Sequence, residues 1–295
     1  MLRPSALATG TLFLSLFLAP SVTYARDEDR VWNREFKVAP QPIVRIETDD
    51  ARVVVRSWKE SRVTARVEMR GKTQGLVIGR LRPLVEITQQ GNEVLVRARM
   101  EGSGSGIIVV STVRLDVEVW LPRESDLILR SDDGPVNVQD VAGRIDLETE
   151  DGSLTARGLH GDIQVKAADG RVVLDDLDGS LRLGTEDGRT EIRGRFDRID
   201  VESQDGRIAA DVLPGSRLLE SWSMSSEDGG IHLRIPRGLA VTLDARTQDG
   251  GLSVDLPVRV QGRARRHELV GDLNGGGPIL RLRSTDGSIR VSAVD

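Results

Sequence analysis

The chain has no cysteine. That excludes disulfides, thiolate metal sites, cysteine nucleophiles and a lipid anchor built on cysteine. Aromatic residues make up only 3% of the 295 residues, so stacking platforms for sugar rings are scarce. The three histidines, His160, His232 and His267, are isolated in sequence, which favours turn and surface roles over metal ligation. Positive charge is not in excess: 41 Lys and Arg face 46 Asp and Glu, with the signs alternating along the chain. A nucleic-acid partner needs a dominant basic field, so none is expected. Arg263-Ala264-Arg265-Arg266-His267 is the one basic cluster and reads as a solvated turn. The helical period is missing too, because apolar residues do not recur at three and four.

What is present begins with a short basic start, Met1-Leu2-Arg3, an apolar run from Ala6 to Ala19, and then Pro20-Ser21-Val22-Thr23-Tyr24-Ala25. This is the three-part plan of a secretory signal over residues 1–25, with cleavage expected after Ala25. The apolar run is shorter than the ~20 residues that span a bilayer, and the mature chain holds no transmembrane helix by this reading. Only Arg3 leaves with the leader, so the mature formal charge is −6 (40 − 46).

Asp-Gly pairs stand at 133–134, 151–152, 169–170, 187–188 and 205–206, each eighteen residues from the last (151 − 133 = 18). Around them apolar residues alternate. In Asp151 to Ala168, Leu154 and Ala156 alternate with polar residues, Gly158-Leu159-His160-Gly161 breaks the run, and Ile163, Val165 and Ala167 alternate again. Two period-two strands separated by two turns result. The neighbouring repeats put Val136 and Val138, Val172 and Leu174, and Thr190 and Ile192 at matching places. No repeat buries its apolar side alone, but stacking about 4.8 Å apart lets like positions form columns. The pattern predicts an all-β β-solenoid, or β-helix, with 18-residue coils and two short strands per coil, regular over residues 131–212. The Asp-Gly corner is expected to need the positive φ that glycine adopts cheaply. A small residue two places before each Asp (Ser131, Thr149, Ala167, Thr185, Ser203) suits an inward corner position.

Weaker copies flank the array at Thr48-Asp49-Asp50-Ala51, Ser226-Glu227-Asp228-Gly229, Thr247-Gln248-Asp249-Gly250 and Ser284-Thr285-Asp286-Gly287. Atypical terminal units are expected where an open stack must cap its edges. Residues 26–40 read as a polar lead-in or cap, with Trp32 and Phe36 available for packing. Residues 41–295 read as one extended domain. Gly71 to Pro83 and Gly102-Ser103-Gly104-Ser105-Gly106 read as loops, and Gln90-Gly91-Asn92 as a hairpin turn.

The segments VEVWLPRESDLILRSDDGPVNV, ETEDGSLTARGLHGDIQVKAADG, LRIPRGLAVTLDARTQDGGLSVDL and GDLNGGGPILRLRSTDGSIRV resemble the bacterial putative-adhesin domain of unknown function. The shared features are a strand ending in Pro, a T/S-x-x-G-x-φ-x-φ repeat and a late G-x-GGG-P loop, over roughly residues 40–293. The resemblance implies an exported or envelope-associated β-solenoid of right-handed twist. That family carries no established catalytic residues, so none is transferred.

Three functions compete on these residues. The first is a non-catalytic envelope scaffold, periplasmic or at the cell surface, presenting a face to an envelope protein or a glycan. The second is a polysaccharide-cleaving enzyme, for which Asp146, Glu148, Gln164, Lys166, Arg182, Asp200 and Glu202 offer acidic and basic rows on one outward face. Cross-strand pairing of those charges is the plainer account. The third is a calcium-stabilised, β-roll-like binding module using the corner acids Asp133, Asp151, Asp169, Asp187 and Asp205. The toxin-type calcium roll carries two G-G-x-G-x-D nonapeptides per turn, which are absent here. Backbone N–H groups and an arginine column at Arg171, Arg189 and Arg207 offer the acids another partner. No catalytic residue and no cofactor is assigned from sequence.

Overall fold

The computed structural model describes residues 30–71, 80–103, 113–261 and 265–294. The leader at 1–25, most of the 71–83 and Gly102–Gly106 loops, and Arg263-Ala264 lie outside them. Within the described residues the chain is all β: twenty-two strands join one hydrogen-bonded sheet, and there is no helix.

In the middle of the chain each strand pairs in parallel with its equivalent eighteen residues away. Leu154 lies between Val136 and Val172, Val172 lies beside Thr190, and Thr190 beside Ile208. All are buried, as are Ile145, Ile163, Leu181 and Ile199 on the facing wall. The columns expected from the period-two pattern therefore share one interior. Each buried aliphatic contributes roughly 1.5–3 kcal/mol against the entropy of ordering the chain. Where the columns need a wider filler, Phe196 and Trp222 meet edge to face with centroids 6.5 Å apart.

The second break of the repeat holds at 158–159 but is lost in the next two repeats. Arg171–Thr185 and Arg189–Ser203 are single strands of 15 residues. Asp176 takes a left-handed conformation (φ 54°), and the register shifts between Leu174 and Leu177, so the strand turns while its pairing continues.

The corner glycines follow a different rule from the one expected. Gly134, Gly170 and Gly188 have positive φ (102°, 116° and 106°), but Gly152 and Gly206 are not among the positive-φ residues. What all five share is closeness to the rung beneath. A Cβ on Gly152 would lie 2.0 Å from the carbonyl oxygen of Gly134, one on Gly188 1.9 Å from that of Gly170, and one on Gly206 2.5 Å from that of Gly188. Glycine is required because successive backbones touch at the corner, whatever the local φ.

The short residue before each corner is buried as expected. Thr48, Ser131, Thr149, Ala167, Thr185 and Ser203 stack in register, and Ser226, Ser284 and Thr247 continue the column. Their hydroxyls satisfy one another and the turn. Thr185 Oγ1 donates to Ser203 Oγ at 3.1 Å, and the Gly206 N–H donates to Ser203 Oγ at 3.1 Å. Thr149 is the exception: its buried Oγ1 has no partner, and the adjoining rung presents Ala167.

Both ends depart from chain order. Ile43–Trp58 lies inside the stack, between Glu93–Ser103 with Arg114–Pro122 on one side and Asp126–Asp133 with Val136–Gln139 on the other. Ile279–Ser284 is inserted between Trp222–Ser226 and Val241–Thr247. Ile289–Val294 likewise separates Ile231–Pro236 from Leu252–Val254. Most edges are covered by antiparallel strands: Arg62–Arg70 on Arg114–Pro122, Arg80–Gln90 on Glu93–Ser103, and Glu268–Leu273 on Val241–Thr247, whereas short Leu252–Val254 pairs only with Ile289–Val294. The lead-in at 26–40 contains one more strand, Val31–Lys37, on Arg62–Arg70, with Trp32 and Phe36 packed on the core. The loop expected to reach Pro83 stops short, because Arg80–Gln90 pairs through that proline. Gly91 (φ 61°) makes the expected hairpin turn.

Two glycines separate the contact rule from a general glycine effect. Gly188→Ala is expected to destabilise the protein by at least roughly 1–3 kcal/mol through backbone strain, whereas Gly184→Ala, with open space over its Cβ, should be neutral or slightly stabilising. Urea unfolding of both variants checks this, and equal losses would refute the rule. Ala167→Ser should raise stability by about 1 kcal/mol by giving Thr149 Oγ1 a partner, read as a higher urea midpoint at unchanged slope.

Candidate functional site

Side chains that point out of the stack also form columns. One runs Glu148, Lys166, Gly184, Glu202, Ser225, Arg283, Arg246. Beside it, nearer the corner, stand Glu150, Glu186 and Glu227. Together they line an open trough of about 1440 Å³. It crosses the rungs and ends at the turn holding Arg265, Arg266 and His267. Among the described residues no Phe, Tyr or Trp side chain lines it.

The trough exists because its floor is short. Gly184 is the last residue but one of Arg171–Thr185, paired in the ladder with Lys166 and Glu202, where glycine weakens a strand, and nothing lies within 4 Å of where its Cβ would be. Ser225 is the other short residue of the column. Around this floor Lys166, Glu186, Glu202 and Glu227 form no side-chain hydrogen bond or ion pair with the described chain, whereas Glu148 is taken by Arg130 at 3.1 Å.

The far end of the trough is basic and braced. Arg283 Nη2 lies 2.6 Å from Asp244 Oδ2, and Arg246 Nε lies 3.0 Å from Asp244 Oδ1 and 3.3 Å from Glu268 Oε1. Burial pushes the Asp244 carboxyl up, but the Arg283 hydrogen bond and charge, with Arg246 behind them, outweigh it and hold the group below the usual aspartate range. His267 Nδ1 lies 2.8 Å from the Gly250 carbonyl oxygen, so the ring donates its Nδ1–H there and pins the turn to the corner.

The rows expected on the outward face are brought together. Asp146, Gln164, Arg182 and Asp200 stack in one column, and Glu148, Lys166 and Glu202 in the next. Pairing within the first is weak, with Arg182 Nε 3.9 Å from Asp200 Oδ2. The corner acids Asp133, Asp151, Asp169, Asp187 and Asp205 are exposed. The arginine column stands in register but does not neutralise them, because Arg171 pairs with Glu191 at 2.9 Å. Among the described residues no group of three or more His, Asp or Glu is gathered to hold a metal ion. A second, smaller trough of about 570 Å³ lies on the other wall, where Arg157 and Arg193 both engage Asp175 (2.7 and 3.4 Å) and Arg234 engages Asp211.

Sequence reasoning missed the basic end. Arg265-Arg266-His267 reads as a plain turn, and Arg246 and Arg283 lie far from the regular repeats. One signal was available: Arg246 and Arg283 each precede a Thr/Ser-x-Asp-Gly corner, the same offset as Lys166 and Glu202. That places them in the column but not in their order along it.

The family model described as Toastrack DUF4097 matches residues 43–292. The chain belongs to this family. Among solved structures it is similar to a putative adhesin from Parabacteroides merdae (10% identity, 90% of this chain and 97% of that one, TM-score 0.42). It is also similar to a putative adhesin from Bacteroides fragilis (9% identity, 90% and 98%, TM-score 0.36). A third similar structure is a putative lipid binding protein from Parabacteroides distasonis (10% identity, 90% and 97%, TM-score 0.41). No curated protein matches the chain. Among the described residues of this Toastrack protein no helix is long and apolar enough to cross a membrane.

The Asp244 cluster gives a pH signature. A carboxyl held low when folded contributes stability that is present above its unfolded pKa and lost as pH falls through the lower folded value. Asp244→Asn should therefore flatten the acid limb of the stability–pH curve below about pH 4, the ordinary aspartate range. Urea midpoints from pH 2 to 7 for both proteins check it; superimposable acid limbs would contradict it.

Proposed function

We propose that this Toastrack protein is an exported, non-catalytic scaffold of the bacterial cell envelope, and that the trough over Gly184 is its binding surface. In this reading the stack is a right-handed β-solenoid of 18-residue coils, and residues 1–25 are a leader removed on export. The observation that carries the proposal is the empty floor at Gly184 beneath side chains without partners among the described residues. A strand-weakening glycine there is unexplained by packing, since a larger residue would fit. Binding supplies a reason, because a ligand then approaches the backbone closely. The reading needs neither a cofactor nor an active site. Sugar cleavage is less well supported, because the trough lacks an aromatic platform.

The test uses Gly184→Arg, which puts a long side chain on the trough floor at a position where a Cβ meets no neighbour within 4 Å. Wild-type mature protein should co-sediment with the envelope fraction of its source bacterium, and the variant at least ten-fold less, with unchanged melting temperature. A variant that binds as well as wild type would remove the trough from consideration. Reducing-sugar release from a polysaccharide panel should stay at background.

A further inference from the structure

We infer that the trough takes an extended peptide segment whose charges are segregated into a cationic and an anionic block. This rests on the trough being the binding surface. The column from Glu148 to Arg246 makes six rung steps, or about 29 Å at ~4.8 Å each, which an extended chain covers with roughly eight or nine residues. Along that path the signs separate. Glu186, Glu202 and Glu227 dominate the middle, and Lys166 is the one cation among them. At the end, four arginines (Arg246, Arg265, Arg266 and Arg283) line the trough, and three of them, Arg246, Arg265 and Arg283, pair with just two carboxylates, Asp244 and Glu268. A ligand complementary to both stretches carries basic groups opposite the glutamates and acidic groups opposite the arginines.

The chemistry of the lining selects among polymers. A neutral glycan would find no Phe, Tyr or Trp ring to stack on among the described residues. A polyanion such as nucleic acid would meet the glutamates over half its length. A peptide supplies both signs in separate stretches of one chain. Recognition runs through side chains, because the rungs beneath already pair with one another and offer no free edge.

The experiment measures fluorescence anisotropy of labelled ten-residue peptides of one composition with full-length mature protein. One peptide has a Lys/Arg block followed by a Glu/Asp block, one has the block order reversed, and one alternates the charges. At least one block peptide should bind ten-fold or more tighter than the alternating one. Gly184→Arg and the double variant Glu186→Lys/Glu202→Lys should each lose at least ten-fold of that binding at unchanged melting temperature. Equal affinity for block and alternating peptides, no peptide binding, or full binding by Gly184→Arg would overturn the inference. If peptides fail while the protein still co-sediments with envelope in a Gly184-dependent way, the peptide idea falls and the binding surface stands. If Gly184→Arg leaves co-sedimentation unchanged, both fall.

Discussion

Backbone-to-backbone contact at the corner is the constraint that the rest of this molecule obeys. From Gly134 through Gly152, Gly170, Gly188 and Gly206, each glycine rests on a carbonyl oxygen of the preceding rung, with no room for a Cβ. Because the corner is that tight, rungs keep the normal spacing of paired strands right through the turn. Hydrogen bonding continues around it: the Asp151 N–H donates to the Asp132 carbonyl at 3.0 Å and the Asp169 N–H to the Glu150 carbonyl at 2.9 Å. With rungs in phase at the corner, every inward side chain meets its own equivalent, and the core follows. The buried hydroxyl column works in the same place, feeding orphan turn groups that have no water to reach.

The same phase locking arranges the outside. Outward residues at one offset must form a column, so a surface of this kind is written as rows whose charges neither move nor choose their neighbours. On the wall with the smaller trough the rows interleave, and Arg157, Asp175 and Arg193 neutralise one another. On the facing wall one glycine removes a member of the row, and the charges around the gap are left facing solvent. A single missing side chain thus converts a flat ladder into a concavity.

The ends show how a stack of this kind avoids open edges. Antiparallel strands cover the long outermost strands, leaving three-residue Leu252–Val254 with a single partner, and the outermost rungs are not the first and last in sequence. Glycine contacts obey the spatial order, with Gly287 on Gly229 and Gly250 on Gly287, so the corner rule holds where the chain order does not. Inserting Ile279–Ser284 also sets Arg283 beside Ser225 and Arg246, which makes the basic end of the trough.

Much of this was legible in the residues themselves. The 18-residue Asp-Gly spacing, the alternation at Leu154, Val172 and Thr190, and the short residues before each corner specify parallel columns, because a period shared by turn and strand has one compact solution. The row Glu148, Lys166, Glu202 follows from the same period. The order of the terminal rungs, the contact role of Gly152 and Gly206, and the meeting of Arg246 and Arg283 with the glutamate rows were settled only in three dimensions. Local pattern determines which positions share a column, since it depends on side chains a few residues apart. Which rung lies next to which depends on long-range packing between segments that sequence spacing does not connect.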